Sequence, residues 1–386
     1  MDSFKNTGSV LVSSALTILL FSAVSYGMGP SILWSRAISG VREAGFNCLS
    51  TPDSEENFLA VGRAAGGGVG YIIACEMSSS GEVLWEQNYF LGASACAAGV
   101  LRVDGGYVIA GTTEKGADTS GFLMRIDTSG QIVWRRWLSG SGVGRFCDIC
   151  LTEDGNLLAV GCTSASPGGT RNIWMVCADP EGNTVWESIH EDPGHQIAHA
   201  VVVLEGEGFA LSGSDGSSVF LLLTDSFGTR VSKTLHDMGG VDMARGLHRL
   251  DSDGFLAWGS TVASSRMPSA LFMLFDQAGQ LAWNMSWTTG GVETCTQAIS
   301  IPTGGYVFLC HSNSPDRVGF VSVLLRLDSR GGTVWEKTID LGRQTELRAV
   351  QATGDGGFLL AGTVEYECRS RVPIVVRLGP EEPVDR

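Results

Sequence analysis

A tryptophan that returns about every fifty residues is the feature that most constrains the fold of this chain. It ends phrases such as RIDTSGQIVW (125–134) and LDSRGGTVW (327–335), in which an Asp and a Gly precede the aromatic residue. The equivalent positions are 45 to 52 residues apart: Trp34, Trp85, Trp134, Trp186, Val231, Trp283 and Trp335. Seven units at a nearly constant period of this length are typical of a propeller or a solenoid.

Each unit contains four short apolar segments separated by turn signals. The first segment opens on a small residue, and a Gly-rich turn such as DGG at 104–106 follows it. The second segment has the form GYVIAGT (106–112), the third has the form GFLMRID (121–127), and an Asp-x-x-Gly turn leads into the fourth. Asp-Gly and Gly-Gly turns accept positive φ and are strong hairpin signals. The sequence therefore predicts an all-β, seven-bladed β-propeller made of four-stranded antiparallel blades.

The two ends of the chain are complementary. The last unit stops at Pro380 without a fourth segment, whereas SILWSRAI (31–38) is a fourth segment with no unit before it. We therefore expect residues 31–38 to pair with 372–378 and close the ring, because an open ring would expose strand edges. On this interpretation residues 26–380 form a single propeller domain, and residues 381–386 form a C-terminal tail.

The recurring tryptophan is explained by packing rather than by catalysis. It lies on the outer strand, so its ring is expected to pack against a neighbouring blade, near the glycines that recur in the second segments. A glycine has no side chain, which lets a large ring approach the backbone. These glycines are Gly62, Gly111, Gly161, Gly213, Gly259 and Gly362.

Residues 1–25 have the pattern of a signal peptide. Lys5 precedes an apolar run over 10–24, which is shorter than the ~20 residues that a spanning helix needs. Small residues at Ala23 and Ser25 allow cleavage before Tyr26, and an uncleaved N-terminal anchor is the alternative. Both interpretations predict an exported protein, extracellular, at the cell surface or periplasmic.

Charge and composition exclude one class of partner. The formal net charge is −15, and 22 arginines stand beside four lysines. Such an acidic chain is a poor match for a phosphate backbone, so we expect no nucleic acid partner. The 52 glycines and the low share of charged residues, 17%, also favour short strands joined by tight turns over long solvated helices.

With these features the repeats resemble those of exported bacterial and archaeal β-propeller proteins with D-G-G-[FY] and D-x-x-G-x-x-x-W motifs. They are also similar to pyrroloquinoline-quinone-type repeats, whose tryptophans dock between blades. The resemblance spans residues 31–378. It implies the propeller fold but no single activity, because propellers bind, scaffold and catalyse alike. We expect no cofactor, since the sequence lacks the adjacent cysteine pair of quinoprotein enzymes.

The polar residues that the repeat does not explain are the candidates for a site. Loops from every blade converge on one face of a propeller, around the central channel. An arc of arginines and carboxylates there could bind an acidic or hydroxyl-rich ligand, or its members could simply pair with one another. Just before the small residue of the first strand, four consecutive units carry His199, Arg245, Gln297 and Arg348, and the loops above them add His195, Asp242, Glu293 and Glu346.

Asp148 is a charged residue at a position where other units carry a small one. A carboxylate in such a crowded inner position needs a partner. Asp148 is therefore either a site residue or a hydrogen-bonded strut. The small residues at the equivalent positions are Gly99, Ala200, Gly246, Ala298 and Ala349.

The sequence also yields interpretations of metal and thiol chemistry. The segment HEDPGHQIAH (190–199) holds half of the six histidines, but it leads into a strand, so the helical spacing of metalloprotease ligands is lost and we expect no metal site. Taking Asp154-Gly155 as a two-residue turn places Cys147 opposite Cys162, which predicts a disulfide bond in an oxidising compartment. The alternative is that both thiols fill small buried positions.

Together these features predict an exported, non-enzymatic and monomeric binding module that takes a protein or a polar, acidic ligand at its channel face. No membrane contact is expected beyond a possible N-terminal anchor. Two alternatives stay open. One is a lyase or hydrolase that acts on glycans or peptides through the arc around Arg245 and Arg348. The other is a scaffold for envelope or cell-surface assembly.

Overall fold

Every regular element that the structure describes is a β-strand. The structure is a computed structural model, and within the residues it describes no helix has the length and hydropathy needed to cross a bilayer. The described residues are 17–21, 27–38, 43–115, 118–140, 142–206, 208–250, 254–263, 267–302, 304–313, 318–366 and 370–381.

The described strands form seven blades, each containing a four-stranded antiparallel sheet. The first strands of successive blades contact one another around a closed ring and line a central channel, so they are the innermost strands. From the innermost strand to the outermost, blade 1 contains Gly45–Leu49, Phe58–Gly66, Val69–Met77 and Val83–Tyr89. Blade 2 contains Ser94–Val103, Gly106–Lys115, Asp118–Asp127 and Ile132–Leu138. Blade 3 contains Val143–Leu151, Leu157–Ser164, Asn172–Ala178 and Thr184–His190.

The remaining four blades follow the same order of strands. Blade 4 contains Gln196–Leu204, Gly208–Asp215, Ser218–Thr224 and Arg230–His236. Blade 5 contains Gly240–Arg249, Phe255–Ala263, Ser269–Phe275 and Leu281–Thr288. Blade 6 contains Val292–Ser300, Tyr306–Asn313, Val321–Leu327 and Thr333–Ile339. Blade 7 contains Gln344–Ala352, Phe358–Glu365, Arg371–Leu378 and Ile32–Ala37.

Blade 7 closes the ring with strands from both ends of the chain. Its outermost strand pairs antiparallel with the third strand, in a register that places Ile32 opposite Leu378 and Ala37 opposite Ile374. The innermost strands of blades 7 and 1 also contact one another. The predicted seven-bladed propeller and its closure by the N-terminal strand are confirmed.

Two short segments that precede the first blade lie along the outer edges of other blades. Thr17–Phe21 runs parallel to residues 284–288 of blade 5, and Gly27–Met28 runs parallel to residues 335–336 of blade 6. The predicted signal peptide or anchor and the predicted tail therefore stay predictions, since most of their residues fall outside the described ranges: 1–16, 22–25 and 382–386.

The core consists of apolar layers between adjacent blades rather than one central cluster. The rings of Phe272 in blade 5 and Phe308 in blade 6 lie 4.4 Å apart between their centroids. In blade 3, Phe146 stacks on Trp174 at 4.5 Å. The second strand of that blade is buried on both faces along its whole length, whereas outermost strands alternate between exposed and half-buried side chains. Each blade is therefore stabilised mainly by its two neighbours.

The tryptophans pack against a turn glycine of the next blade, so the predicted contact with second-strand glycines is wrong. Each turn glycine joins a third to a fourth strand and has a φ between +74° and +84°. A ring carbon of Trp85 lies 2.9 Å from where a Cβ of Gly130 would be, and its indole N–H donates to the Thr128 carbonyl oxygen at 2.9 Å. The same contact joins five pairs: Trp34 with Gly81, Trp85 with Gly130, Trp134 with Gly182, Trp186 with Gly228, and Trp283 with Gly331.

The second-strand glycines instead accommodate a bulge in the innermost strand. A Cβ at Gly161 would lie 2.0 Å from the carbonyl oxygen of Arg145, far inside van der Waals distance. A side chain at Gly161 would therefore displace the strand, and six of the seven described blades carry glycine at this position, whereas blade 6 carries Cys310. In the seven blades the bulged residues are Asn47, Ala98, Cys147, His199, Arg245, Thr296 and Arg348.

Deleting residues 26–40 tests the closure of the ring. The deletion removes Trp34 and leaves Arg371–Leu378 as an unpaired edge. We expect aggregation and loss of the cooperative melting transition, because exposed strand edges pair between molecules. Thermal denaturation followed by light scattering measures both, with a variant that lacks only residues 382–386 as the control. A deletion variant that melts like the full chain would contradict the closed ring.

Replacing Gly161 with alanine tests the role of the bulge. The added methyl group would meet the Arg145 carbonyl oxygen, and overpacking of this kind costs about 1–3 kcal/mol of the free energy of unfolding. Gly66→Ala is the matched control, since a Cβ there has only the Tyr71 ring as a neighbour, at 4.0 Å. Urea denaturation compares the two variants, and equal losses would show that the bulge does not require glycine.

Candidate functional site

The seven bulged residues line one cavity at the centre of the ring. The cavity has a volume of about 330 Å³ and is bounded by all seven innermost strands. A bulge sets two residues of one strand against one residue of its partner, so one side chain per blade is left free of the regular pairing. His199, Arg245 and Arg348 of the predicted arc are all bulged residues and are brought together around this cavity.

Gln297 lines the same cavity but occupies a different position from the one predicted. The bulged residue of blade 6 is Thr296, and Gln297 follows it, as Asp148 follows the bulge of blade 3. Gln297 therefore takes the position that the sequence analysis assigns to Ala298. The predicted alignment of this blade is wrong by one residue.

Asp148 and Gln297 are struts between adjacent blades. One carboxylate oxygen of Asp148 accepts the backbone N–H of Val201 in blade 4 at 3.0 Å, and the other accepts the N–H of Ile149 at 2.8 Å. The side-chain oxygen of Gln297 accepts the N–H of Val350 in blade 7 at 2.6 Å. Burial raises the pKa of Asp148 to about 6, although both N–H donors oppose the shift. Of the two roles left open for Asp148, the geometry supports the strut.

Arg245 stands in the channel, and its side chain has no partner among the residues that the structure describes. Its guanidinium group is reached by solvent, lines the cavity, and forms no hydrogen bond or ion pair with the residues that the structure describes. Partial burial between the channel walls lowers the pKa of Arg245, and the positive charge of Arg348 lowers it further. The two guanidinium groups are thus close enough to repel one another.

Arg348 is oriented by a carboxylate. Its Nη2 lies 3.0 Å from Oε2 of Glu346, whose other oxygen lies 3.8 Å from Arg371. The side chain of Arg348 is 47% exposed, so water screens this ion pair and leaves the guanidinium group available to a ligand. Mutual pairing of the arc residues therefore holds for Arg348 and Glu346 but not for Arg245.

Asp242 and Glu293 lie away from the cavity, unlike the prediction. Both are completely buried. Asp242 accepts the backbone N–H of Met238 at 2.6 Å, and Glu293 accepts the hydroxyl groups of Thr288 at 2.8 Å and Thr289 at 2.7 Å. Asp242 therefore fixes the loop that leads into the innermost strand of blade 5, and Glu293 fixes the end of the outermost strand of blade 5 together with the loop that follows it.

His195 also stays outside the cavity. Its side chain is exposed in the loop before blade 4, where Nδ1 accepts the backbone N–H of Arg171 at 3.4 Å. In the part of the chain that the structure describes, no three His, Cys, Asp or Glu side chains are grouped so that they could hold a metal ion.

Two buried polar atoms in the cavity lack a partner among the described residues. They are Nε2 of His199 and Nε1 of Trp258. Burial lowers the pKa of His199 to about 4, and the charges of Arg245 and Arg171 add to the effect, so the ring is neutral at neutral pH. An unpaired buried polar atom costs about 1–3 kcal/mol, so a polar group that enters the channel can gain by pairing with it.

Trp258 was missed by the sequence analysis, although its signal is visible. The segment GFLAWGS (254–260) carries a tryptophan where the other second strands carry Ala, Val, Ser or Leu. Its ring lies close to Gly246, at which a Cβ would approach the indole within van der Waals contact. A ring much larger than the side chains at the equivalent second-strand positions therefore marks the wall of the channel.

The structure does not place Cys147 opposite Cys162. Cys162 lies opposite Arg145, and Cys147 is itself the bulged residue, so the register on which the predicted disulfide rested is wrong. Both are free cysteines in the structure. Burial raises the pKa of Cys147 to about 12, which keeps its thiol protonated and unreactive. The alternative, that both thiols fill small positions, agrees with this geometry.

Comparisons with known proteins show the fold alone. No model of a known family matches the sequence, and no curated protein matches it. The chain is similar in structure to the WD40 domain of Neurospora crassa Pan2, with a TM-score of 0.61, 10% identity, and coverage of 92% of this chain and 97% of that one. It is also similar to a Dyadobacter fermentans protein of unknown function (TM-score 0.56, 9% identity, coverage 91% and 99%). The fold and the cavity thus define a seven-bladed β-propeller with charged and polar groups in its channel.

The raised pKa of Asp148 predicts a pH-dependent stability. A carboxyl group whose folded pKa, about 6, exceeds its ordinary value of 3.8 binds its proton more tightly in the folded state. The folded state therefore loses stability as the pH rises through this window. Relative to Asp148→Asn, the protein should lose roughly 2 kcal/mol of the free energy of unfolding between about pH 4 and pH 7. Urea denaturation across this range measures the difference, and a difference independent of pH would contradict the raised pKa of Asp148.

Proposed function

We propose that this protein is an exported, non-enzymatic binding module that takes an acidic, hydroxyl-rich ligand at the mouth of its central channel. The observation that carries the proposal is the pair of guanidinium groups of Arg245 and Arg348. The positive charge of Arg348 lowers the pKa of Arg245, and Arg245 has no counter-ion among the described residues. A bound carboxylate would remove this repulsion and accept charge-assisted hydrogen bonds from both groups.

The overall acidity of the protein does not oppose this proposal. The net charge is −15, but charges on exposed surfaces are screened beyond a Debye length of about 8 Å at physiological ionic strength. An acidic ligand in the channel therefore responds mainly to the groups that surround it. Those groups are the two arginines, the Asp148 carboxylate, whose two oxygens already accept backbone N–H groups, and the unpaired nitrogens of His199 and Trp258, which suit hydroxyl groups of the ligand.

The geometry favours binding over catalysis. A hydrolase or a lyase needs a general acid or base within reach of its substrate. Asp148 is the one carboxylate that lines the described cavity, and both of its oxygens already accept backbone N–H groups. Burial lowers the pKa of His199 to about 4, so its ring is a weak base, and it has no carboxylate partner in the described part of the chain. We therefore assign no catalytic residue.

Replacing both Arg245 and Arg348 with alanine tests the proposal. D-galacturonate is the probe and D-galactose is its neutral counterpart, and isothermal titration calorimetry measures both. We expect galacturonate to bind the wild-type protein and the double variant to bind it at least about a hundredfold more weakly, because each hydrogen bond to a charged group contributes roughly 1.5–3 kcal/mol.

Arg135→Ala is the matched control for this experiment. Arg135 lies on the outermost strand of blade 2, where its guanidinium group stacks over Trp137 at 5.1 Å from the ring centroid. We expect its loss to leave binding unchanged, and the melting temperature of the double variant to stay near that of the wild type, since exposed charges contribute little to stability. Unchanged galacturonate binding in the double variant, or equal binding of galactose, would overturn the proposal.

A further inference from the structure

A second cavity lies beside the channel, between blades 7 and 1. It has a volume of about 400 Å³. Asn47 and Arg348 line both this cavity and the channel cavity, so the two spaces adjoin at these residues. The other charged residues of its wall are Glu43, Arg63, Glu346 and Arg371.

Two of the arginines in this wall are neutralised by carboxylates. Arg348 pairs with Glu346 at 3.0 Å. Arg371 lies 3.1 Å from Glu365 and 3.8 Å from Glu346. These contacts hold the side of the cavity that blade 7 contributes, so the charge that is left over must be sought on blade 1.

Arg63 supplies that charge. It lies on the second strand of blade 1 with an exposed side chain, and it forms no hydrogen bond or ion pair with the described residues, Glu43 included. Burial raises the pKa of the Cys96 thiol, and the charges of Arg63 and Arg348 both oppose that shift. Both guanidinium groups therefore act on the Cys96 thiol, which accepts a hydrogen bond at 3.3 Å from the side chain of Asn47, a residue that lines both cavities.

Neutral polar side chains also line the two cavities. The two cavities are lined by amides and hydroxyl groups that can exchange hydrogen bonds with sugar hydroxyls. Each cavity also falls within the range of about 300–1,000 Å³ that is usual for small-molecule sites. The neutral polar residues are Asn47, Thr296, Gln297, Gln351 and Thr363.

We infer that the ligand is an acidic oligosaccharide with at least two carboxylates, one bound between Arg245 and Arg348 and the next bound at Arg63. The inference rests on the proposed function and adds the class of ligand and a second subsite. Arg348 lines both cavities, so it stands between the two unpaired arginines and a single elongated ligand can contact all three.

A second carboxylate should strengthen binding because its contact is made within a complex that has already formed. When the two carboxylates belong to one molecule, binding of the first holds the second at a high effective concentration near its subsite. We therefore expect digalacturonate to bind at least about tenfold more tightly than galacturonate. The neutral disaccharide galactobiose should not bind, since it lacks both carboxylates.

Arg63→Gln tests the second subsite. Glutamine keeps much of the length of the side chain and removes its charge, and no described partner of Arg63 loses a contact. We expect the variant to bind digalacturonate only as tightly as galacturonate, while its affinity for galacturonate equals that of the wild type. Arg135→Gln, on the outermost strand of blade 2, is the matched control and should keep the full difference.

The results separate this inference from the proposed function. If the Arg245 and Arg348 double variant loses galacturonate but Arg63→Gln binds digalacturonate like the wild type, the channel site stands and the second subsite is overturned. If wild-type protein binds neither acid, the proposed function itself fails. Inorganic phosphate that competes as well as digalacturonate would show a general anion site and overturn the oligosaccharide class.

Discussion

The bulge in each innermost strand is the constraint on which the channel depends. At the bulge, a carbonyl oxygen of the innermost strand presses against a second-strand glycine, such as Gly161, and the register shifts by one residue. The strands stay paired because the glycine offers no side chain to obstruct them. The bulged residue then lines the channel. The repeat thus fixes one channel-lining position in every blade, whereas the residue type at that position can vary. This is how Ala98 and Arg245 can occupy equivalent positions in one ring.

The residues that hold the ring together are separated from those that line its channel. Tryptophans dock on turn glycines near the outer edge, and apolar layers fill the space between blades. Inside, Asp148 and Gln297 join adjacent blades, whereas the side chain of Arg245 forms no hydrogen bond or ion pair with the residues that the structure describes. An unpaired charge lowers the free energy of unfolding, but a charge at this position does not disturb the packing between blades. The channel can therefore keep donors ready for a ligand without loss of stability elsewhere.

The fold was predictable because its signals are local, whereas the details of the site were not. Turns, alternating strands and the unmatched strand around Trp34 indicate the blades and their closure directly. The bulge leaves one mark in the sequence, the second-strand glycine, and blade 6 carries Cys310 in its place. Without that mark Ala298 was aligned in the position that Gln297 occupies. The burial of Glu293 was equally hidden, because its hydroxyl partners lie at the end of the preceding strand and in the loop after it, whose course only the structure shows.

Blade 7 combines strands that are far apart in the sequence, and this determines when the ring can close during folding. Its outermost strand, Ile32–Ala37, is synthesised before the rest of the ring, and its partner, Arg371–Leu378, is the last strand to follow. A nascent chain that leaves a ribosome or a translocation pore from its N-terminus thus carries Leu33 and Trp34 without their partner strand until the last strand of the ring has been made. The ring therefore closes in one late step. Until then, the strand Ile32–Ala37 is the segment that a chaperone would have to shield from other chains.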